Sequence, residues 1–467
     1  MADLEFLFHP QSVAVVGASS SSERLKGGDF FLKSLKDYGF KGKLYPINPR
    51  ASEIMGLKAY PSVRDVPGSV EYVISCIPAS ETPQLVKDCV AKGVKAIALF
   101  TSGFSEAGEE GSQLEQEIVN LARQGGVRII GPNCMGIYCP NAGLSYDPGF
   151  SKEAGCVGLL SQSGGLSIEL VFEGDLRGIH FSKVISYGNA ADLNEADLLE
   201  YFSQDAETKI IAAYIEGIKQ GQRFLKALTK AAEEKPVIMF KGGRTKAGTR
   251  AVASHTGALA GNEAIWDTLC RQAGVVRVYS LEEMADLIVT FLYLRPLRGR
   301  RVGIISIGGG AAVQLTDVCT SNSLMVPHFS PKTRRRLERF NPQAGTSLHN
   351  PVDTLFPFQY LSDLLETIRV IDASKEVDLL LIYMTLAYFL LRQKFEVAEE
   401  VIKATIKASN TFDMPIALVL RTGGTAENWK MAFELQQMCS NARLPVYPSN
   451  ERAAYAIGKF IRYHEVR

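Results

Sequence analysis

Short, almost wholly apolar runs recur along this chain, each closing on Gly, Pro, Ser or Asn and each followed by a longer amphipathic stretch. The first set is "SVAVVGAS" (12–19), "KLYPINP" (43–49), "EYVISCIPA" (71–79), "KAIALFTSGF" (95–104) and "VRIIGPNCMGIY" (127–138). Apolar runs of this length with helical spacers between them mark parallel strands whose two faces are buried under crossover helices. The predicted fold class is therefore α/β, built on parallel sheets. A second set begins at "CVGLLSQSGGLSIEL" (156–170) and proceeds through "SKVISYGNAADLNEADLLEYF", "KIIAAYIEGI" and "KPVIMFKGG". A third opens at "RVGIISIGGGAAVQLTDVC" (301–319), after the basic connector "LRPLRGR" (294–300), and continues through "DLLLIYMTL", "PIALVLRTGG" and "LPVYPSNERAAYAIGKF". Strand, glycine turn and helix head each set, so three Rossmann- or flavodoxin-like modules are expected, over residues 1–145, 146–297 and 298–467. No fixed-period repeat accompanies them.

Composition narrows the function. With 467 residues, 46% of them hydrophobic, the chain is long enough for several domains with real cores. Lys plus Arg number 51 against 50 for Asp plus Glu, a net charge of +1. No bulk field recommends nucleic acid or an anionic membrane, and any anion must be bound locally. The N-terminus lacks a basic stretch followed by an apolar core, and the longest apolar run, "LLLIYMTLAYFLL" (379–391), is too short to span a bilayer. The eight cysteines are scattered without a CxxC pair. They read as the reduced thiols of a cytoplasmic protein rather than a disulfide framework or a zinc site, and no metal site is expected in the chain itself.

"VAVVGAS" carries a strand into a glycine turn, which aims backbone N–H groups and the positive end of the next helix at a phosphate. The dinucleotide fingerprint needs GxGxxG and an acidic residue closing the second strand. Here Gly17 is followed by Ala18 and Ser19, and the second strand closes on "PINPR" without an acid, which disfavours NAD. Arg50 suits a phosphorylated ribose instead, as in NADP or coenzyme A. Glycine turns at strand ends are common in α/β proteins, so this motif alone does not decide for a ligand. In "LLSQSGGLSIE", Ser161, Ser163, Gly164 and Gly165 precede a helix with no acid in its first turn. That is a good seat for a phosphoryl group, although serines at a helix start are most often plain N-caps. "SIGGGAAVQLTD" repeats the device with Gly308, Gly309 and Gly310.

His255, one of six histidines, lies in "ASHTGALAG" (253–261) after the basic "FKGGRTKAGTRAV". Its small neighbours predict a mobile or closely approached loop rather than a packed stripe. A lone histidine is most often a surface or core residue without chemistry, and His9, His180, His328, His349 and His464 are read that way. His255 differs in context. A neutral imidazole is a nucleophile toward phosphoryl groups, and small flanks let a charged phosphohistidine enter a cradle. A carboxylate on the other ring nitrogen would fix the tautomer, and Glu216 in "AYIEGIKQG", at the end of a predicted strand, is the candidate.

Taken in order over essentially the whole chain, "GPNCMG" (131–136), "SQSGGLS" (161–167), "YGNAADLNEADLLEY" (187–201), "IEGIK" (215–219), "KGGRTKAG" (241–248), "SHTGALAG" (254–261) and "NPVD" (350–353) resemble the alpha subunit of succinyl-CoA synthetase. They resemble its relatives, the ADP-forming acyl-CoA synthetases such as acetate–CoA ligase (ADP-forming), more closely still. The resemblance implies a reversible sequence: phosphate attacks an acyl-CoA to give acyl phosphate and CoA, the phosphoryl group passes to a histidine, and the histidine passes it to ADP. By motif match His255 is the phosphorylated residue and Glu216 its orienting carboxylate. Ser161, Ser163, Gly164 and Gly165 match the phosphate-binding helix start, and Gly308, Gly309 and Gly310 would supply a second helix end. Coenzyme A binding falls by the same match to Gly17, Ala18 and Ser19, to Pro46, Asn48 and Pro49, to Cys76, Ile77 and Pro78, to Ser102, Gly103 and Phe104, and to Asn133. The modules then read as a CoA-binding domain followed by two succinyl-CoA-ligase-like flavodoxin domains, the first carrying the phosphohistidine. The family also requires an ATP-grasp module for ADP or ATP and Mg2+, and the three modules here are accounted for by other parts. A separate ATP-grasp beta subunit is implied, joined with this chain in a heterotetramer.

Three departures stand out. "GGGAA" replaces a sequence that in relatives often reads closer to "GGPG", Tyr187 stands before "GNAAD" where many relatives carry a smaller aliphatic residue, and Met135 occupies a variable place in "GPNCxG". The last two would reshape the acyl pocket, so the carboxylic acid is left unspecified. The basic run "KTRRRLERF" (332–340) is most simply a solvated helix face. A noncatalytic CoA-binding or sensing protein would keep "GAS" and "PINP" but would not need His255, Glu216 and the two later cradles. An NADP oxidoreductase would use Arg50 and leave everything after residue 155 unexplained.

Overall fold

The apolar runs fold into strands whose carboxyl ends carry the glycine turns. In the computed structural model, which describes residues 4–19, 27–256, 263–341, 347–354, 358, 361–391 and 395–467, the first set forms β1 (Ser12–Val16), β2 (Lys43–Ile47), a small ribbon of β3 (Glu53–Ile54) with β4 (Leu57–Lys58), then β5 (Tyr72–Ser75), β6 (Ala96–Leu99) and β7 (Arg128–Ile130). The five longer strands make one parallel sheet in the order β2-β1-β5-β6-β7. Every residue of β1, β5 and β6 is buried. Val73, Ile97 and Ile129 of the sheet pack with Leu85, Val86 and Ile118 of its covering helices.

The second set gives β8 (Gly136–Tyr138), β9 (Val157–Ser161), β10 (Phe181–Ser186), β11 (Ile210–Ile215), β12 (Val237–Lys241) and β13 (Val276–Val278), in the order β13-β12-β11-β9-β10-β8. All neighbours are parallel except β8, which runs antiparallel to β10. The third gives β14 (Val302–Ser306), β15 (Ser347–Leu348), β16 (Val352–Asp353), β17 (Leu379–Thr385), β18 (Ile416–Arg421) and β19 (Val446–Tyr447), in the order β15-β16-β14-β17-β18-β19, parallel apart from β15. The long apolar run is explained here: β17 is buried almost throughout and turns directly into a helix, Leu386–Leu391. Among the described residues no helix is long and apolar enough to cross a membrane.

Two compact units result, Met1–Asp175 with Ile179–Met284, and Leu176–Gly178 with Ala285–Arg467. The first two sheets belong to the first unit and the third sheet to the second. β8 lies within the stretch expected to belong to the first module, yet it edges the second sheet. The longer stretch of the second unit starts at Ala285, inside the helix Leu281–Tyr293. A three-residue edge strand carries no periodic signal of its own, and its pairing is decided by what it lies against.

In each sheet the head strand is interior, β1 between β2 and β5, β9 between β10 and β11, and β14 between β16 and β17. This is the flavodoxin-like order, which opens a crevice at the carboxyl ends where the winding reverses. Within the first unit two such crevices are drawn together by backbone. The loop after β10 lies along the end of β7, with Asn189, Ala191 and Leu193 N–H donating to the carbonyls of Pro132, Gly131 and Ile129 at 3.0, 3.0 and 3.2 Å. Asp192 secures the same seam, accepting from Ile129 N–H at 3.0 Å and Arg128 Nε at 2.8 Å. Gly188 makes the approach possible: its φ is +50°, and a Cβ there would lie 2.1 Å from Pro132 O and 2.4 Å from Asn133 O. Gly188→Ala is therefore expected to destabilise the protein by at least about 2 kcal/mol, through both the left-handed backbone and the clash. Urea unfolding checks this, and an unchanged midpoint would show that the seam relaxes freely.

Candidate functional site

The first crevice lies between the ends of β1 and β5. Gly17, with φ +88°, runs beside Cys76, whose carbonyl carbon and oxygen lie 3.2 Å from where a Gly17 Cβ would stand. Cys76 N–H donates to Val16 O at 2.9 Å. Asn48, just past β2, donates from Nδ2 to Ala18 O at 2.7 Å and accepts from Arg50 N–H at 2.8 Å, bracing the turn from the other side. Pro46 is buried in β2, while Pro49 is exposed beside Asn48. Thr101 Oγ1 donates to Ile77 O at 2.7 Å, and Asn133 N–H to Thr101 O at 3.2 Å, so the loops carrying Ile77, Pro78, Ser102, Gly103 and Asn133 form one continuous rim. The Phe104 ring is wholly buried in the core, and its N–H donates to Glu106 at 3.1 Å.

Ser19 also differs from a bare phosphate cradle. Its N–H and hydroxyl both donate to the carboxylate of Asp29, the hydroxyl at 2.9 Å, and Asp29 is buried in the first turn of the helix Gly28–Tyr38. A carboxylate already occupies that helix end. Cys76 is a thiol rather than a thiolate, pushed up to about 12 by burial, with Asp29 adding to the shift.

The second crevice lies between β9 and β11. Ser161 Oγ donates to Ser163 O at 2.7 Å and accepts from Ser163 N–H at 3.2 Å, while Ser163 Oγ caps the helix Gly164–Leu176 by accepting from Leu166 N–H at 3.3 Å. The hydroxyls therefore shape the turn and cap the helix. No acid stands in that helix's first turn, and among the described residues only Ser163 Oγ, at 3.9 Å, comes near a Cβ added at Gly165. Gly164 is closed off by Met135, whose Cγ lies 2.6 Å from the position of an added Cβ.

Across the crevice, Gln162 Oε1 accepts from the N–H groups of Glu216 and Gly217, the latter at 3.0 Å. Glu216 follows β11 directly, is 4% exposed, and accepts from Tyr214 hydroxyl at 3.1 Å. The structure thus brings Ser161, Ser163, Gly164, Gly165 and Glu216 to one mouth. His255 lies in the helix Lys246–Thr256, not on the loop its small neighbours suggested, because Ala-rich segments favour helix as readily as they permit loops. Its side chain, and residues 257–262, lie outside the described residues.

In the third sheet Gly308, with φ +98°, precedes the helix Gly309–Ser321. Its N–H donates to Asp353 Oδ1 at 3.0 Å, and Gly309 lies against the same carboxylate. The sequence reading assigned Gly308, Gly309 and Gly310 to a phosphate, and did not foresee the carboxylate of "NPVD" at that turn.

Residues 11–140 match the CoA binding domain family, and residues 154–291 the succinyl-CoA ligase like flavodoxin domain. Over 457 residues, 97% of each chain, the protein is 36% identical to the alpha subunit of acetate–CoA ligase (ADP-forming) II of Pyrococcus furiosus. The chain belongs to the ADP-forming acetate–CoA ligase alpha-subunit family. It is thus an acid–thiol ligase subunit. It is 39% identical over 356 residues to the acetate–CoA ligase (ADP-forming) of Methanocaldococcus jannaschii, covering 76% of this chain but 49% of that protein, so it spans about half the length of that relative. A structure of the dinucleotide forming acetyl-coenzyme A synthetase 1 of Ca. Korarchaeum cryptofilum, in complex with phosphate and ADP, superposes with a TM-score of 0.84 at 34% identity, covering 100% of this chain and 97% of that one.

Three buried side chains of the second sheet and its helices were missed as candidates or read only as a departure. The Tyr187 hydroxyl is fully buried and finds no hydrogen-bond partner among the described residues. Lys241, at the end of β12 and 1% exposed, is pulled down to about 8 by burial, with Glu216 opposing the shift. Glu195 opens the helix Glu195–Gln204, is 2% exposed, and is pushed up to about 7 by burial, with Lys219 and Arg223 pulling it back. Nothing in "DLNEADLL" distinguishes this buried glutamate from a solvated one.

A carboxyl whose pKa rises on folding contributes its full stability below the unfolded value of 4.5 and loses it as pH climbs through about 7. Glu195→Gln is expected to be more stable than the wild type at pH 8 by up to about 3 kcal/mol, with the gap closing toward pH 4.5. Urea unfolding of both proteins across that range checks this, and parallel pH profiles would refute it.

Proposed function

We propose that this chain is the acyl-CoA-handling subunit of an ADP-forming acyl-CoA synthetase. It converts acyl-CoA, phosphate and ADP to carboxylic acid, CoA and ATP, reversibly. The observation that carries the reading is the pairing, within one unit, of a strand-end rim matching the CoA-binding family with an acid-free helix start facing Glu216. The N-terminal module of residues 1–145 takes coenzyme A, the module of 146–297 runs the phosphoryl chemistry, and the module of 298–467 completes it.

In the first step a phosphate oxygen, held at Ser163, Gly164 and Gly165, attacks the thioester carbonyl, and CoA leaves as the thiol after its sulfur takes a proton. The open N–H groups of the helix start stabilise the phosphate charge as it is brought up to the acyl group. In the second, the neutral imidazole of His255 attacks phosphorus and the carboxylate leaves, giving phosphohistidine and the free acid. Glu216, fixed by Gln162 and Tyr214, accepts from the other ring nitrogen and stabilises the cationic ring. In the third, the phosphoryl group passes to ADP on a partner subunit. We assign that nucleotide site, with its Mg2+, to an ATP-grasp beta subunit in a cytoplasmic heterotetramer; that the Pyrococcus furiosus relatives are alpha subunits supports the existence of a partner subunit.

Mixing the protein and its partner with acyl-CoA and radiolabelled phosphate, without nucleotide, is expected to give an acid-labile, base-stable label on the wild type and none on His255→Ala. Absence of label across a panel of acyl-CoAs would overturn the ligase reading and leave a CoA-binding protein.

A further inference from the structure

The helix bearing His255 leaves the second sheet after β12 and the chain returns to it at Glu263, the first residue of the helix Glu263–Gln272. The two roots are tied to each other. Arg244, on the outgoing side, places Nε 3.0 Å from Glu263 Oε1. Arg277 of β13, buried in the sheet, places Nη2 2.8 Å from Glu263 Oε2 and also pairs with Asp267 one turn further along the helix. Both guanidiniums lie over the ring of Tyr279, at 4.2 Å for Arg244 and 5.2 Å for Arg277. Next to this group, Lys241 Nζ lies 5.3 Å from the Trp266 ring.

An exposed ion pair standing alone contributes little. Here one carboxylate is shared by two guanidiniums that would otherwise repel, one of them anchored in the sheet and both against one aromatic ring. The arrangement fixes where the excursion starts and ends. We propose that Glu263, with Arg244 and Arg277, is a positioning clamp that sets the reach of the His255 segment for phosphoryl capture. The proposal rests on the phosphohistidine reading above. The clamp residues are none of those assigned above to CoA or phosphate, so the clamp is expected to act on the step that uses His255 and to leave the attack of phosphate on the thioester alone.

The test separates these steps in the assembled enzyme. Arsenate in place of phosphate gives an acyl arsenate that hydrolyses by itself, so arsenate-dependent release of CoA reads the first step without His255. Single-turnover labelling from acyl-CoA and radiolabelled phosphate reads the second. Glu263→Gln and Arg244→Ala are expected to keep arsenolysis within about twofold of wild type and to slow labelling by about tenfold or more, the scale of a small misplacement of a reacting group. Arg244→Lys, which keeps the charge but loses the stacking fork, is expected to fall between. Labelling at the wild-type rate in both variants would overturn the clamp, as would parallel loss of arsenolysis and labelling, which marks a merely structural pair. Absence of label in the wild type itself would instead remove the phosphohistidine reading on which the clamp depends.

Discussion

The seam between residues 189–193 and the end of β7 is the constraint on which the candidate site depends. Two parallel sheets each open a crevice at their carboxyl ends, and without the seam the two crevices would be unrelated features of one unit. Three backbone hydrogen bonds, Asp192 and the absence of a side chain at Gly188 bring the loops of one sheet against the loops of the other. The seam continues into polar contacts, since Asn189 Nδ2 donates to Glu115 Oε2 at 3.1 Å and to Ser105 Oγ at 3.2 Å in the rim of the first crevice. A thioester held on one side and a phosphate on the other need such fixed adjacency, because orientation accounts for much of what an enzyme contributes to a two-substrate step.

Much of this was legible in the sequence because parallel strands announce themselves as unbroken apolar runs. β1, β9, β11, β14 and β17 fall where "SVAVV", "VGLLS", "IIAAYI", "VGIIS" and "LLLIYMT" stand. The glycine turns were legible too, as Gly17 and Gly308 adopt the left-handed backbone that their position after a strand requires. The place of Glu216 just past a strand was legible because "IIAAYIEG" reads as an apolar run closed by an acid and a glycine. What escaped depends on contacts distant in sequence. Asp29 reaches Ser19 from the next helix, Asp353 reaches Gly308 from another strand, and Glu195 looks like any helix-opening acid until the surrounding chain covers it. The helix at His255 escaped for a different reason, since "ASHTGALAG" satisfies loop and helix alike and local composition could not choose.

The buried ionisable groups of the second sheet follow one logic. Gln162 is neutral, yet its amide oxygen takes two backbone donors and so fixes Glu216 without adding a charge to the mouth. Burial displaces Glu195 and Lys241 toward their neutral forms, to about 7 and about 8, so each side chain holds its charge less firmly than it would in water.

The first and third head-strand turns share a positive-φ glycine, Gly17 and Gly308, that the turn after β9 lacks, and the turns differ in tenancy as well. Asp29 at the first and Asp353 at the third place a carboxylate against the turn, while no acid stands in the first turn of the helix that follows Ser163. A small anion approaching the first or third turn would therefore meet a covalently tethered carboxylate at the turn itself, whereas at the middle one the carboxylate among the described residues, Glu216, stands across the crevice.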